Sequence, residues 1–244
     1  MDKKTRDFLR DLNQKFYATF AGEFANSRGR TEPGFERVLA QVAPGSQVLD
    51  LGCGHGRVAF LLPAGCSYTG VDFSTEMLAQ VKAGGQERDM RFVAADLLSE
   101  DWPADVGGPY NWITIRAVFQ HIPGYAARTR ILRQATTLLA PGGRIVLANW
   151  QFLAAKRLHR RIQAWSEVGL SETEVEAGDY LLDWQRGGRG WRYVHLVDEV
   201  ETKRLAADAG LTIREMFRAD GRENNLTLYA VLSRSKKELT PQKR

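Results

Sequence analysis

Cysteine is nearly absent from this chain: Cys53 and Cys66 are the two in 244 residues. Their spacing fits neither a metal site nor a redox motif, and the expectation is a reducing, cytoplasmic setting. No apolar run approaches the length that crosses a bilayer. The opening MDKKTRDFLRDLNQ is charged with no apolar segment behind it, so no signal peptide is read there and no membrane partner is expected. Neither sign of charge dominates. The net charge is +5, part of it in the terminal SRSKKELTPQKR, which permits contact with nucleic acid without requiring it. The length suits one large domain with an elaboration, and no internal repeat is present.

What is there is alternation. Residues 5–25 place Phe8, Leu9, Leu12, Phe16, Phe20 and Phe24 at helical spacing, and a short helix is expected from Phe35 to Val42. SQVLDLG, SYTGVDFS, MRFVAADL, YNWITIRAVFQHI and RIVLANW read as five strands. Helices are expected at RVAFLLPAG, after the capping Ser74 through Gln80 or beyond, and at AARTRILRQATTLLAPGG, stopped by Pro-Gly-Gly. Such alternation implies an α/β fold, a mostly parallel sheet with helices on both faces. After residue 150 the rhythm changes. QFLAAKRLHRRIQAWSEVGL reads as a basic helix and DYLLDWQRGGRGWRYVHLV as an aromatic, turn-like stretch. DEVETKRLAADAGL is a helix ending at Gly210, and LTIREMF and NLTLYAVLS close the chain as adjacent strands, an antiparallel edge.

The domain expectation is a helical cover over 1–45, a core over 46–150 and 196–235, an insertion over 151–195, and a flexible tail over 236–244.

VLDLGCGHGR carries the chemistry. A buried strand ends in Gly52, Gly54 and Gly56, where the backbone can approach a bound molecule closely. Strand, glycine turn and helix start form a site for an anion or nucleotide. Asp72 ends the next strand twenty residues after Gly52, where a carboxylate can accept ribose hydroxyls. Asp96 ends the third strand beside the same crevice, where it and the backbone can read an adenine edge. The turn is G-x-G-x-G followed by Arg57, not G-x-G-x-x-G, so a pyrophosphate is not the obvious ligand; an NAD-binding module is the competing reading.

The ordered set VLDLGCGHGR, GVDFS, VAADLL and LLAPGGRIVLANW resembles the class I S-adenosylmethionine-dependent methyltransferases over residues 46 to about 150, with the sheet finished by 211–232. The resemblance implies a Rossmann-like, mostly parallel seven-stranded sheet with an antiparallel edge strand, and S-adenosyl-L-methionine as cofactor. It puts Asp50 and Gly52 near the methionine end, Asp72 on the ribose, and Asp96 with Leu97 at the adenine; Gly54, Gly56, Phe73 and Arg116 complete the implied cofactor set.

The flanks FYATFAGEFANSRGR, RAVFQHI, GDYLLDWQRGGRGWRYVHLV and NNLTLYAVL resemble the tRNA wobble-uridine carboxymethyl methyltransferases, which esterify a carboxymethyl group on the base. That likeness implies tRNA as partner and acceptor-side roles for Arg28, His121, Arg192, Tyr193 and His195. The family usually has two adjacent histidines where this chain has Gln120 and His121, and a proline where it has Asp183. Its eukaryotic members work with a small zinc-binding activator protein.

A carboxylate acceptor, ionised at neutral pH, needs no general base; Arg28 and Arg192 would dock it or a phosphate, and His121 would orient it. A small-molecule O- or N-methyltransferase would instead require His121 or His195 to take a proton. A cofactor-binding subunit without activity is a third class. The same residues also have ordinary roles: His121 as a packed turn histidine, the arginines as surface ion pairs, and Tyr193, Trp184 and Trp191 as the small core of a lid.

Overall fold

Short aliphatic runs between glycine-bearing turns become the strands of a central sheet. The computed structural model describes residues 1–26, 32–81 and 89–235. Strands β1 (Gln47–Leu51), β2 (Ser67–Asp72), β3 (Met90–Ala94), β4 (Tyr110–Arg116) and β5 (Leu139–Trp150) pair in parallel. A separate antiparallel sheet follows, of β6 (Ile162–Gln163), β7 (Asp179–Trp184) and β8 (Gly190–His195). The chain then rejoins the first sheet with β9 (Leu211–Ala219) and β10 (Thr227–Arg234). The seven strands lie in the order β3-β2-β1-β4-β5-β10-β9. β10 runs antiparallel to both neighbours, so the reversed strand of the expected edge pair sits one place in from the edge.

The helices are α1 (Lys3–Asn26), α2 (Pro33–Leu39), α3 (Thr75–Leu78), α4 (Trp102–Val106), α5 (Tyr125–Thr137), α6 (Lys156–His159) and α7 (Glu199–Asp208). Alternation along the strands divides the core between the two faces. Leu49, Leu51, Ile113, Ile145 and Leu147 pack with Ile131 and Leu132 of α5 and Leu205 of α7. Val48, Trp112, Val146 and Tyr229 pack with Phe35 and Val38 of α2. Each such buried side chain contributes about 1.5–3 kcal/mol relative to exposure.

Several expectations fail for local reasons. RVAFLLPAG makes only a five-residue 3-10 turn, Arg57–Leu61. Pro63 forces the preceding Leu62 into an extended conformation (φ −72°, ψ 150°), and the helix cannot continue. Residues 151–170 do not form one helix. Their backbone is drawn into pairing Ile162 with Leu182 and Gln163 with Leu181, leaving α6 as a single turn. Pro141-Gly142-Gly143 lies inside β5, between the pairings Tyr110–Leu139 and Trp112–Arg144; α5 has already ended at Thr137. The stretch read as turn-like is the β7–β8 hairpin. α4 was not expected. The helix after Ser74 is capped as predicted, with the Ser74 hydroxyl accepting from Met77 N–H at 3.2 Å, but it ends at Leu78. The tail expectation over 236–244 lies outside the described residues.

α1 packs along β8, which is the free edge of the small sheet. Asn13 supplies what a neighbouring strand would: its side-chain oxygen accepts from Tyr193 N–H at 2.9 Å and its amide donates to Tyr193 C=O at 3.1 Å. Gly190 permits this approach, since a Cβ there would meet the Phe20 ring at 2.6 Å.

Candidate active site

The glycine turn lies at the C-terminal end of β1. Gly52, Gly54 and Gly56 have φ of +72°, +57° and +72°, a left-handed conformation that strains any other residue. Gly52 and Gly56 also face protein: an added Cβ would strike Val118 at 2.2 Å and Phe92 at 2.7 Å. The turn is held from the next strand. Asp72 accepts from Gly54 N–H at 2.8 Å and from Ser74 N–H at 3.0 Å. Burial pushes the Asp72 carboxyl up, opposed by those two amides. Asp96 accepts from Leu98 N–H at 2.8 Å.

A crevice opens over these strand ends, lined by Gly52, Gly54, Asp72, Phe73, Asp96, Leu97 and Arg116 of the expected cofactor set. Asp50 and Gly56 are not among its lining residues. Asp50 is buried beneath it, with one oxygen accepting from Thr114 at 2.6 Å and the other from Tyr68 at 2.8 Å. Burial pushes its carboxyl up, against the bonds from Thr114 and Tyr68; with both oxygens so engaged and outside the crevice lining, Asp50 supports the strand ends. Gly56 shapes the turn.

The residues that remain fit a nucleoside with a charged tail. Two backbone-braced carboxylates stand at adjacent strand ends, Phe73 offers a half-exposed ring, and Leu97 and Met77 line an apolar wall. Arg116 lines the crevice and donates to Glu32 at 2.7 Å, while its buried Nε has no hydrogen-bond partner among the described residues.

The opposite wall comes from α1 and the β4 exit: Arg10, Asn13, Gln14 and Tyr17 face His121 and Ile122. Tyr17 Oη lies 2.8 Å from His121 Nε2 and the other ring nitrogen lies 3.3 Å from Tyr193 C=O. A carbonyl only accepts, so His121 Nδ1 carries the proton and Nε2 is the acceptor. Gln120 agrees. Its oxygen accepts from Trp150 N–H at 2.8 Å, which turns its NH2 toward His121 Nε2 at 3.4 Å. Tyr17, Gln120 and Tyr193 C=O thus hold one tautomer of His121.

The other acceptor-side expectations separate. Arg192 is buried between the Phe16 and Trp150 rings, 5.4 and 5.5 Å from their centroids, and Phe16 meets Trp184 edge-on at 5.5 Å. This aromatic wall adjoins Tyr17 through a Phe16–Tyr17 contact of 5.2 Å. Arg28 lies outside the described residues. Tyr193 and His195 are not among the crevice-lining residues. The Tyr193 ring sits in a small core with Leu9, Trp165 and Leu181, its hydroxyl donating to Asp179 at 2.8 Å. His195 is buried with Nδ1 2.6 Å from Asp179 and Nε2 2.6 Å from Glu201; Arg128 bonds Glu201 at 2.7 Å. A structural role replaces the direct one for both, apart from the Tyr193 carbonyl on His121. Their alternation explains it: Tyr193 and His195 face one side of β8 and Arg192 the other.

Asp183, where the resembling family has proline, donates its backbone N–H to Arg161 C=O at 2.9 Å, a bond proline cannot make.

Residues 23–216 match the family described as "Methyltransferase domain". A protein of Encephalitozoon cuniculi (strain GB-M1) assigned by name to the methyltransferases is 28% identical over 222 residues, 90% of this chain and 94% of the relative. A ubiquinone biosynthesis O-methyltransferase of Chromobacterium violaceum is 28% identical over 177 residues, 70% of this chain and 67% of the relative. Among solved structures, a SAM-dependent methyltransferase of Methanosarcina mazei superposes with a TM-score of 0.62 at 19% identity, covering 81% of this chain and 96% of that one. The fold, the strand-end crevice and a match over most of the chain agree: the protein belongs to the methyltransferase domain family.

Proposed function

We propose that this methyltransferase uses S-adenosyl-L-methionine and esterifies a carboxymethyl group on a wobble uridine of tRNA. The observation that carries the reading is the His121 environment. Its Nε2 is capped by Tyr17, and the crevice-lining carboxylates, Asp72 and Asp96, stand on the cofactor side. A histidine whose Nε2 already accepts from Tyr17 suits an acceptor that is already an anion; the crevice's other described histidine, His55, lies on the glycine turn. A carboxylate, with an ordinary pKa of about 4, qualifies at neutral pH.

Bound S-adenosyl-L-methionine supplies a methyl group on a positively charged sulfur. Asp72 would hold the ribose, Asp96 and Leu97 the adenine, and Arg116 the anionic end of the methionyl part. Tyr17 and His121, whose protons are engaged with each other and with Tyr193 C=O, would bound the acceptor side by shape and exclude water. No proton has to move. The half-buried Trp150 and Trp184 would offer the aromatic surface for a planar base, backed by Arg192 and the buried Phe16.

A second reading also has an observation behind it. The Tyr17–His121 contact can relay a proton from a phenol or alcohol, and one relative is named for ubiquinone O-methylation. Labelled methyl transfer from S-adenosyl-L-methionine to total tRNA and, separately, to a small-metabolite extract decides between them. Label in tRNA supports the first reading. Label in metabolites alone overturns it and makes His121 the base.

A further inference from the structure

The small sheet separates charge along its length. At one end, before β7, stand Glu172, Glu174 and Glu176. The other end holds Lys156, Arg157 and Arg160, all exposed, and the exposed Arg186 and Arg189 of the β7–β8 turn. Pairing brings the two basic segments together: Ile162 opposes Leu182, and Arg161 C=O accepts from Asp183 N–H at 2.9 Å. Arg161 and the buried Asp183 carboxylate stand 3.8 Å apart beneath them. The basic residues are exposed because Leu158, the one apolar residue of that turn, faces inward against Phe152, Leu182 and Val194.

This basic end is linked to the acceptor wall through packed rings. The hairpin turn rises from Trp184, which meets Phe16; Phe16 meets Tyr17; and Tyr17 lines the crevice. Besides the buried Asp183, Glu167 is the acid that reaches the patch among the described residues, its carboxylate 4.0 Å from Arg189. The acids at the far end are kept from it by the length of β7.

We propose that this patch docks the sugar-phosphate backbone of the RNA that carries the acceptor nucleotide. The inference rests on the tRNA reading above and deepens it. Arginine and lysine side chains on an exposed turn neutralise phosphates and release counterions, and guanidinium groups take phosphate oxygens in pairs. The crevice would then need to recognise only the splayed-out nucleotide, while the basic turn holds the flanking strand.

The test is the salt dependence of tRNA binding, measured by filter retention without turnover. Three forms are compared: the full chain, Lys156→Ala/Arg157→Ala/Arg160→Ala, and Glu172→Gln/Glu174→Gln at the acidic end. Calorimetric binding of S-adenosyl-L-methionine, expected unchanged in all three, certifies the fold. The basic variant is expected to weaken tRNA binding about tenfold or more at low salt and to flatten the log–log salt slope by about two. The acidic-end variant should keep the wild-type slope. Wild-type chain that methylates tRNA while the basic variant keeps its affinity and slope overturns the docking surface and leaves the acceptor reading standing. Wild-type chain that neither binds nor methylates tRNA overturns both, as does salt-sensitive retention on phosphatidylserine vesicles but not on tRNA.

Discussion

Asp72 spends two hydrogen bonds on the backbone of its own site before it meets any ligand. Gly54 and Ser74 N–H both point at it, so the carboxylate organises the glycine turn as well as facing the crevice. Asp72→Ala leaves two amide donors without their acceptor. It should raise the dissociation constant for S-adenosyl-L-methionine about 10- to 100-fold by calorimetry. His121 makes a different prediction. With Nε2 already accepting from Tyr17 and the proposed acceptor ionised, single-turnover methyl transfer to tRNA is predicted to stay level between about pH 6 and 8. A general base would lose rate in proportion to its protonation below the imidazole pKa. Tyr17→Phe removes the hydrogen bond that positions the ring, and its effect should appear in the maximal rate with cofactor affinity unchanged.

At the scale of elements, the cofactor side is legible in the sequence because each part is local. A strand end, its glycines and the acid at the next strand end sit within a few residues of their roles. The acceptor side is not local. Tyr17 meets His121 across 104 residues and Asn13 meets Tyr193 across 180, so no window of sequence contains the wall that α1 builds. The arginine, tyrosine and histidine near residue 195 stand out as a motif, but β8 sends them to opposite faces, and only Arg192 reaches the aromatic wall. His195 instead ties β8 to α5 and α7 through Asp179, Glu201, Arg128 and, beyond them, Glu176 and Tyr193. Glu176, Asp179 and His195 have metal-ligand spacing, yet their ligand atoms are already engaged by this network.

Burial disfavours charge on His195, but its bonds to Asp179 and Glu201 outweigh that and hold its pKa above the ordinary value near 6.5. Burial likewise works against the Glu201 charge, and His195 with Arg128 outweighs it, holding that pKa below its usual 4.5. The His195 contribution is therefore full below about pH 6.5 and lost as pH rises through the raised value. The Glu201 contribution is full above about pH 4.5 and lost as pH falls through the lowered one. Melting temperature should be highest between these limits and decline on the alkaline side. His195→Gln should remove that alkaline decline, and a wild-type profile indifferent to pH there would contradict the assignment.

For the whole molecule, the parallel sheet brings four strand ends to one crevice, and α1, packed along the small sheet, supplies its opposite wall. Alternation of strands and helices makes that sheet legible from the sequence, including the late return of β9 and β10. The small sheet is hidden because its first strand has two residues and tertiary pairing overrides the helical look of the basic stretch before it, while the glycine-rich turn between β7 and β8 masks two six-residue strands. The proposed acceptor, an anionic group on an RNA, draws on the basic end of that sheet and on the capped histidine. The most direct test is the chemical nature of the bond the enzyme makes. tRNA labelled with methyl from S-adenosyl-L-methionine should lose its label as methanol in mild alkali if the product is the proposed ester. Label that survives mild alkali would mean methyl on nitrogen, carbon or an ether oxygen, and would contradict a carboxylate acceptor.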